Sequence, residues 1–152
     1  MNFLQRIFGS AEENPEEKKK ETEARQFDAL KYDGIAALKI GQVDYAVTCF
    51  SHALQLQDDL EIHDHLSVAY IHQNQMANAV NELRLLADAQ PDNQAVWVRM
   101  ARVCYMMEDY DQMAEACERA EAVGAGSAEV SYLYAEARQG PVSYTHLTLP
   151  TI

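Results

Sequence analysis

The chain has 152 residues, 48% of them apolar and 24% charged, and 24 acidic against 12 basic side chains leave a formal charge of −12. That length supports one domain burying about two thirds of its unfolded surface, with the composition of an ordinary globular protein. The acidity excludes nucleic acid as a partner, because phosphate binding needs clustered Lys and Arg to displace counterions. The charge is uneven: residues 1–40 carry seven basic and eight acidic side chains, whereas residues 41–140 carry five and sixteen. Such a body steers basic or cationic-faced partners toward itself at long range. Cys49, Cys104 and Cys117 are odd in number and show no paired spacing, which points to buried thiols in a reducing compartment and a cytoplasmic location. No run approaches the roughly 18 apolar residues of a membrane span.

In chain order, residues 1–14 read as a flexible segment. Within it Phe3, Leu4, Ile7 and Phe8 form a short apolar face opposite Gln5 and Arg6. That face suits a docking peptide, a cap folded onto the body or a weak membrane contact through residues 3–8. With a single basic residue there, a frayed terminus is the leading expectation over membrane anchoring. Asn14-Pro15-Glu16-Glu17 is a helix start: Asn14 caps, Pro15 suits the first helical position and Glu17 complements the dipole or closes a capping box. A long helix is predicted from about 15 to 40, with others near 43–56, 60–73, 76–89, 94–107, 110–122 and 128–139. Gly41 and Asn74 can end helices in the left-handed conformation, while Glu108 is expected to use another turn. Pro91 and the Gly124–Ser127 stretch mark breaks, with Ser127 as a cap. No strand-like alternation precedes residue 141.

Three stretches superimpose at a spacing of 33 to 34 residues: Gly41 to Ala53, Asn74 to Leu86, and Glu108 to Ala120. A period of that size marks stacked helical hairpins, none of which can bury its apolar face alone. Small residues recur at Gly34, Ser67, Ala101 and Ala135 in first helices. Ala46, Ala79, Ala53 and Ala120 recur in second helices, with Tyr70, Phe50, Leu83, Met100 and Trp97 filling between. Small side chains let helix axes approach to about 8–10 Å, and bulky ones fill the layer.

This pattern resembles the tetratricopeptide repeat (TPR) family over roughly residues 27–140. The resemblance implies an all-α fold, a right-handed superhelical stack of antiparallel helix hairpins. Residues 15–140 would form the repeat domain, with repeats at about 27–59, 60–93 and 94–127 and a partial fourth at 128–140. Asp33 stands where Leu is usual, and Met113 and Leu86 where Ala is usual, so the first and third repeats should pack less regularly.

The resemblance also implies where a guest would lie, since first helices line the inner groove of such arrays. By register these positions are Lys31, Ile35, Leu38 and Lys39 in the first hairpin. The second supplies Asp64, His65, Val68 and His72, the third Arg99, Arg102, Tyr105 and Met106, and the last helix Tyr132 and Glu136. Lys31, Lys39, Arg99 and Arg102 would set cations on an otherwise acidic body, and Arg and Tyr are frequent interface anchors. One family mode, the clamp for the C-terminal carboxylate of heat-shock chaperones, needs two Asn and three basic residues. Lys31 and Arg99 match two of the basic ones, but Ile35, His65 and Ala95 stand where Asn, Asn and Lys are required. That clamp is excluded.

No cofactor, metal or catalytic site is expected. His63 and His65 point to different sides of one helix, so only His65 and His72 share a face, short of the three or four ligands zinc takes. Polar helix-face histidines describe them better. Cys104 and Cys117, on opposite helices of one hairpin, read as small buried hydrophobes. No phosphate loop or nucleophile–base motif occurs.

Residues 141–152, from Pro141 to Ile152, lack charge, alternate Thr with Leu and hold two prolines. They resemble the translation of a transposon-end adapter used in sequencing libraries, so the natural protein is expected to continue past Gly140 and this tail to be unstructured. The sequence reads as a non-catalytic protein-interaction module. The second reading is a regulatory or sensing domain of a larger enzyme or signalling protein. Self-association through an uncovered last helix is a third.

Overall fold

The computed structural model describes Phe3 and residues 14–140. Apart from exposed Phe3, the apolar N-terminal segment and the tail 141–152 lie outside the described residues. Within residues 14–140 seven helices follow: α1 (Pro15–Lys39), α2 (Val43–Leu56), α3 (Leu60–His72), α4 (Met76–Ala89), α5 (Gln94–Met106), α6 (Tyr110–Val123) and α7 (Ala128–Gln139). No strand occurs among the described residues, so the fold is all-α. Each helix lies within a residue or so of its predicted bounds. The chain divides into two compact units, Met1–Asp59 and Leu60–Ile152.

The first unit is the hairpin of α1 and α2. Asn14 Oδ1 accepts from the Glu16 amide at 3.2 Å, and Pro15 occupies the first turn, where its missing N–H costs nothing. The early turns of α1 are solvated and carry i,i+4 pairs of Glu21 with Arg25 and Lys19 with Glu23. Only Phe27, Gly34 and Ala37 of this helix are buried. Gly34 shows why: a Cβ there would lie 2.6 Å from Phe50 Cε1, so the ring of fully buried Phe50 occupies the space a side chain would need. From α2 come Ala46, Cys49, Phe50 and Ala53, one face at helical spacing.

The second unit holds α3 to α7 around a continuous core. Ala79, Leu83 and Leu86 of α4 meet Val96, Met100, Ala101 and Cys104 of α5, followed by Met113, Cys117 and Ala120 of α6 and Val130, Leu133 and Ala137 of α7. Ala46, Ala53, Ala79 and Ala120 have no accessible surface, as close crossing demands, and Met113 is equally buried in the place of an alanine. Two details differ from expectation. Ala135 is exposed, whereas Gly34, Ser67 and Ala101 at the same register are buried. Those three lie beneath the second helix of their own hairpin, and among the described residues no helix follows α7 to cover Ala135.

Glu108 also departs from the expected turn. It has φ 58°, as does Asn74, and Gly41 has φ 81°. All three close their helices with one hydrogen-bond pattern. Gly41 N donates to Leu38 O and Gln42 N to Ala37 O. Asn74 N and Gln75 N donate to Ile71 O and Tyr70 O, and Glu108 N and Asp109 N to Tyr105 O and Cys104 O. This is the Schellman closure, which satisfies carbonyls at a helix end. Asp109 then caps α6, its Oδ1 accepting from the Gln112 amide at 3.1 Å. The left-handed conformation costs a residue with a Cβ about 1–2 kcal/mol, and packing imposes it on Glu108 nonetheless. Glu108→Gly is therefore expected to stabilise the protein by about 1 kcal/mol in urea denaturation; an unchanged or lowered midpoint would contradict the turn.

Candidate functional site

Within the second unit, α3, α5 and α7 present outward faces that polar contacts knit together. Arg99 on α5 pairs with Asp64 Oδ1 on α3, and the same Nη1 donates to Ser67 Oγ at 3.1 Å. Ser67 Oγ in turn donates to the carbonyl of Asp64 at 2.7 Å, so the Arg99 head is held by a fixed acceptor pair. Arg102 on α5 reaches Glu129 on α7 with Nε at 2.6 Å and with Nη2. Tyr105, Met106 and Tyr132 stand exposed on the same helices, at 43%, 57% and 62%. The charge of Glu136, then loss of water and then Tyr105 push the Tyr132 phenol pKa upward, which places these groups together.

The expected cationic lining is thereby changed. Arg99 and Arg102 keep their predicted helices, but each is neutralised by a carboxylate of a neighbouring first helix. His65 and Val68 are half-buried on α3, and His72 is exposed in its last turn. His65 lies 3.8 Å from Glu61, one helical turn away.

In the first unit, Lys31 is also committed. Its Nζ donates to Asp59 Oδ2 at 3.0 Å, and both side chains are largely covered. Ile35 and Leu38 are half-buried and Lys39 is exposed in the last turn of α1. The pairings follow a rule that sequence reading can use. Asp64 and Arg99 are 35 residues apart and Lys31 and Asp59 are 28 apart; opposite charges about one repeat apart meet in space, between helices for the first pair and between a helix and an interhelical loop for the second.

A cleft of about 350 Å³ opens where α3, the end of α4 and the start of α5 meet. Buried Leu86 and Val96 form part of its lining, while Leu60 and Ala95 are exposed at it. Glu61, Asp64 and Arg99 supply its charges, and Gln90 and Asn93 its remaining polar atoms. Of these, Leu60, Glu61, Leu86, Gln90, Asn93 and Val96 were not predicted as site residues, because the cleft joins three helices and has no local pattern.

His63 differs from the expected polar helix-face histidine. It is buried, with Nδ1 2.5 Å from Glu82 Oε2 on α4. The two helices of this hairpin are thus fastened by a polar contact that sequence spacing did not disclose. Among the described residues, no three His, Cys, Asp or Glu side chains converge as a metal site, and no helix is long and apolar enough to cross a membrane. Cys104 and Cys117 are free, buried and close enough to influence each other. Burial, with nearby carboxylates second, raises both thiols from 9.0 to about 11.

No protein-family model matches the chain, and no curated protein matches it either. Solved structures do. The first TPR of Spaghetti (RPAP3) bound to HSP90 peptide SRMEEVD superimposes with a TM-score of 0.65 at 16% identity, over 76% of this chain and 92% of that one. The Sgt2 TPR domain from Aspergillus fumigatus gives 0.66 at 20% identity, over 83% and 85%. MamA from AMB-1 gives 0.71 at 22% identity, over 82% and 68%. The chain has the tetratricopeptide-repeat fold. At these identities the likeness concerns architecture.

The raised thiols set an alkaline limit on stability. An acid whose folded pKa exceeds its unfolded one contributes fully below the unfolded value and loses that contribution as pH rises through the folded value. The thermal midpoint is therefore expected to fall between about pH 9 and 11, and the double variant Cys104→Ala/Cys117→Ala to fall less steeply. Identical slopes would contradict buried thiols, as would rapid labelling of either cysteine by a disulfide reagent at pH 8.

Proposed function

We propose that the protein is a non-catalytic interaction module that carries a segment of another protein on the outward faces of its first helices. The observation that carries this reading is the surface of α3, α5 and α7. There exposed Tyr105, Met106 and Tyr132 stand beside ion pairs that are already formed. Aromatic side chains and methionine are enriched in binding surfaces, since they give large contact area at small entropic cost. Pre-formed ion pairs hold the backbone of the surface in place, and preorganisation lowers the cost of association.

The likeness to domains of the same fold supports the class of activity, one of those neighbours being bound to the HSP90 peptide SRMEEVD. The chemistry of the partner differs on the residues. Lys31 and Arg99, the two side chains that match the chaperone-carboxylate clamp, are occupied by Asp59 and Asp64. A carboxylate guest would have to displace an internal carboxylate from each.

The test is recovery of binding partners by the immobilised full chain, compared across variants. Tyr105→Ala with Tyr132→Ala is expected to weaken the recovered complex at least tenfold, about 1.4 kcal/mol, because hot-spot aromatics dominate such surfaces. Leu85→Ala, an equally exposed residue on second helix α4, is expected to change nothing. The reverse ranking would remove the first-helix surface from the account.

A further inference from the structure

The cleft at the start of the α3–α5 face is formed from groups that suit one kind of side chain. Its walls include Leu86 and Val96, apolar and buried, with Leu60 and Ala95 open to water. Its charges are two carboxylates, Glu61 and Asp64, against one guanidinium, Arg99, a balance of −1. Arg99 is engaged by Asp64 Oδ1 and Ser67 Oγ, whereas Oδ2 of Asp64 has no hydrogen-bond partner among the described residues. Asn93 Nδ2 donates to Gln90 Oε1 at 3.0 Å, which leaves side-chain Oδ1 of Asn93 as a further acceptor at the cleft.

An apolar wall beneath an acceptor-rich, negatively charged rim matches a long aliphatic stem that ends in a cation. The surrounding field has the same sign. From Leu60 to Gly140 the chain holds thirteen acidic and five basic residues, a balance of −8. An anionic guest would meet Glu61 beside it and find Arg99 already neutralised. A cationic head would find the open oxygen of Asp64, with hydrogen bonds to a charged group being stronger than neutral ones.

We propose that this cleft is the anchor pocket for a single lysine or arginine side chain of the segment carried on the α3, α5 and α7 faces. The proposal rests on the interaction-module reading and adds the chemistry of the partner: a cationic segment, not a carboxylate-terminated one. The stem lies along Leu60, Leu86 and Val96, and the head is held between Asp64 and Glu61.

The experiment is a titration of the isotopically labelled full chain with N-acetyl-arginine methylamide, followed by backbone amide shifts. The norleucine and glutamate analogues serve as neutral and anionic controls. The arginine probe is expected to shift Leu60, Glu61, Asp64, Ala95 and Arg99 saturably, at least fivefold more tightly than norleucine, with no saturable shift from glutamate. Ala95→Phe fills the cleft mouth from an exposed position and is expected to abolish the shifts. Glu61→Gln is expected to weaken them at least threefold, each variant keeping its helical circular dichroism. Equal binding of the glutamate probe, no arginine shift at the cleft, or arginine binding that survives Ala95→Phe overturns the pocket. Partner recovery separates this from the broader reading: loss with Tyr105→Ala/Tyr132→Ala but full retention with Ala95→Phe sinks the anchor pocket and leaves the first-helix surface standing.

Discussion

Close crossing of neighbouring helices is the constraint from which the rest follows. Where Ala46, Ala79 and Ala120 sit, no surface remains for a larger side chain without shifting a helix axis. Gly34 under the ring of Phe50 is the extreme case, since even a methyl group would overlap an aromatic carbon. Such crossings use up the inner faces of both helices in a hairpin. What is left for solvent on α3, α5 and α7 is a face that has no core duty, and there the second unit carries exposed Tyr105 and Tyr132.

The polar contacts explain how that face keeps one shape. Asp64, Ser67 and Arg99 form a closed set joining α3 to α5, and Glu129 draws Arg102 toward α7. Partly exposed pairs of this kind contribute little to global stability, typically less than about 1 kcal/mol each. Their effect is positional. They fix which side chains present open valences, and so turn a nominally basic face into one that offers Asp64 Oδ2 among its open acceptors in the described residues.

Much of the fold was legible because it is periodic. The 33- to 34-residue spacing located the alanines and the hairpin turns, and capping residues located the helix starts at Asn14 and Ser127; each of these depends on local backbone needs. The departures have physical causes of longer range. Glu108 adopts a left-handed conformation that its own preference disfavours, because the same two terminal hydrogen bonds form there as at Gly41 and Asn74. His63 is buried because Glu82, nineteen residues on, offers it a partner. Ala135 keeps the register of Ala101 but lacks the covering helix among the described residues. The pairing at the candidate site was not legible for the same reason: the carboxylate that meets Arg99 in space stands 35 positions earlier in the chain.

The most direct test of the account is to map the footprint of a recovered partner on the full chain by amide hydrogen exchange. Protection is predicted over α3, α5 and α7, centred on Asp64, Arg99, Tyr105 and Tyr132, with α4 and α6 unchanged around Leu85 and Glu115. Protection confined to the exposed faces of α4 and α6 would contradict the claim that the first helices are the working surface.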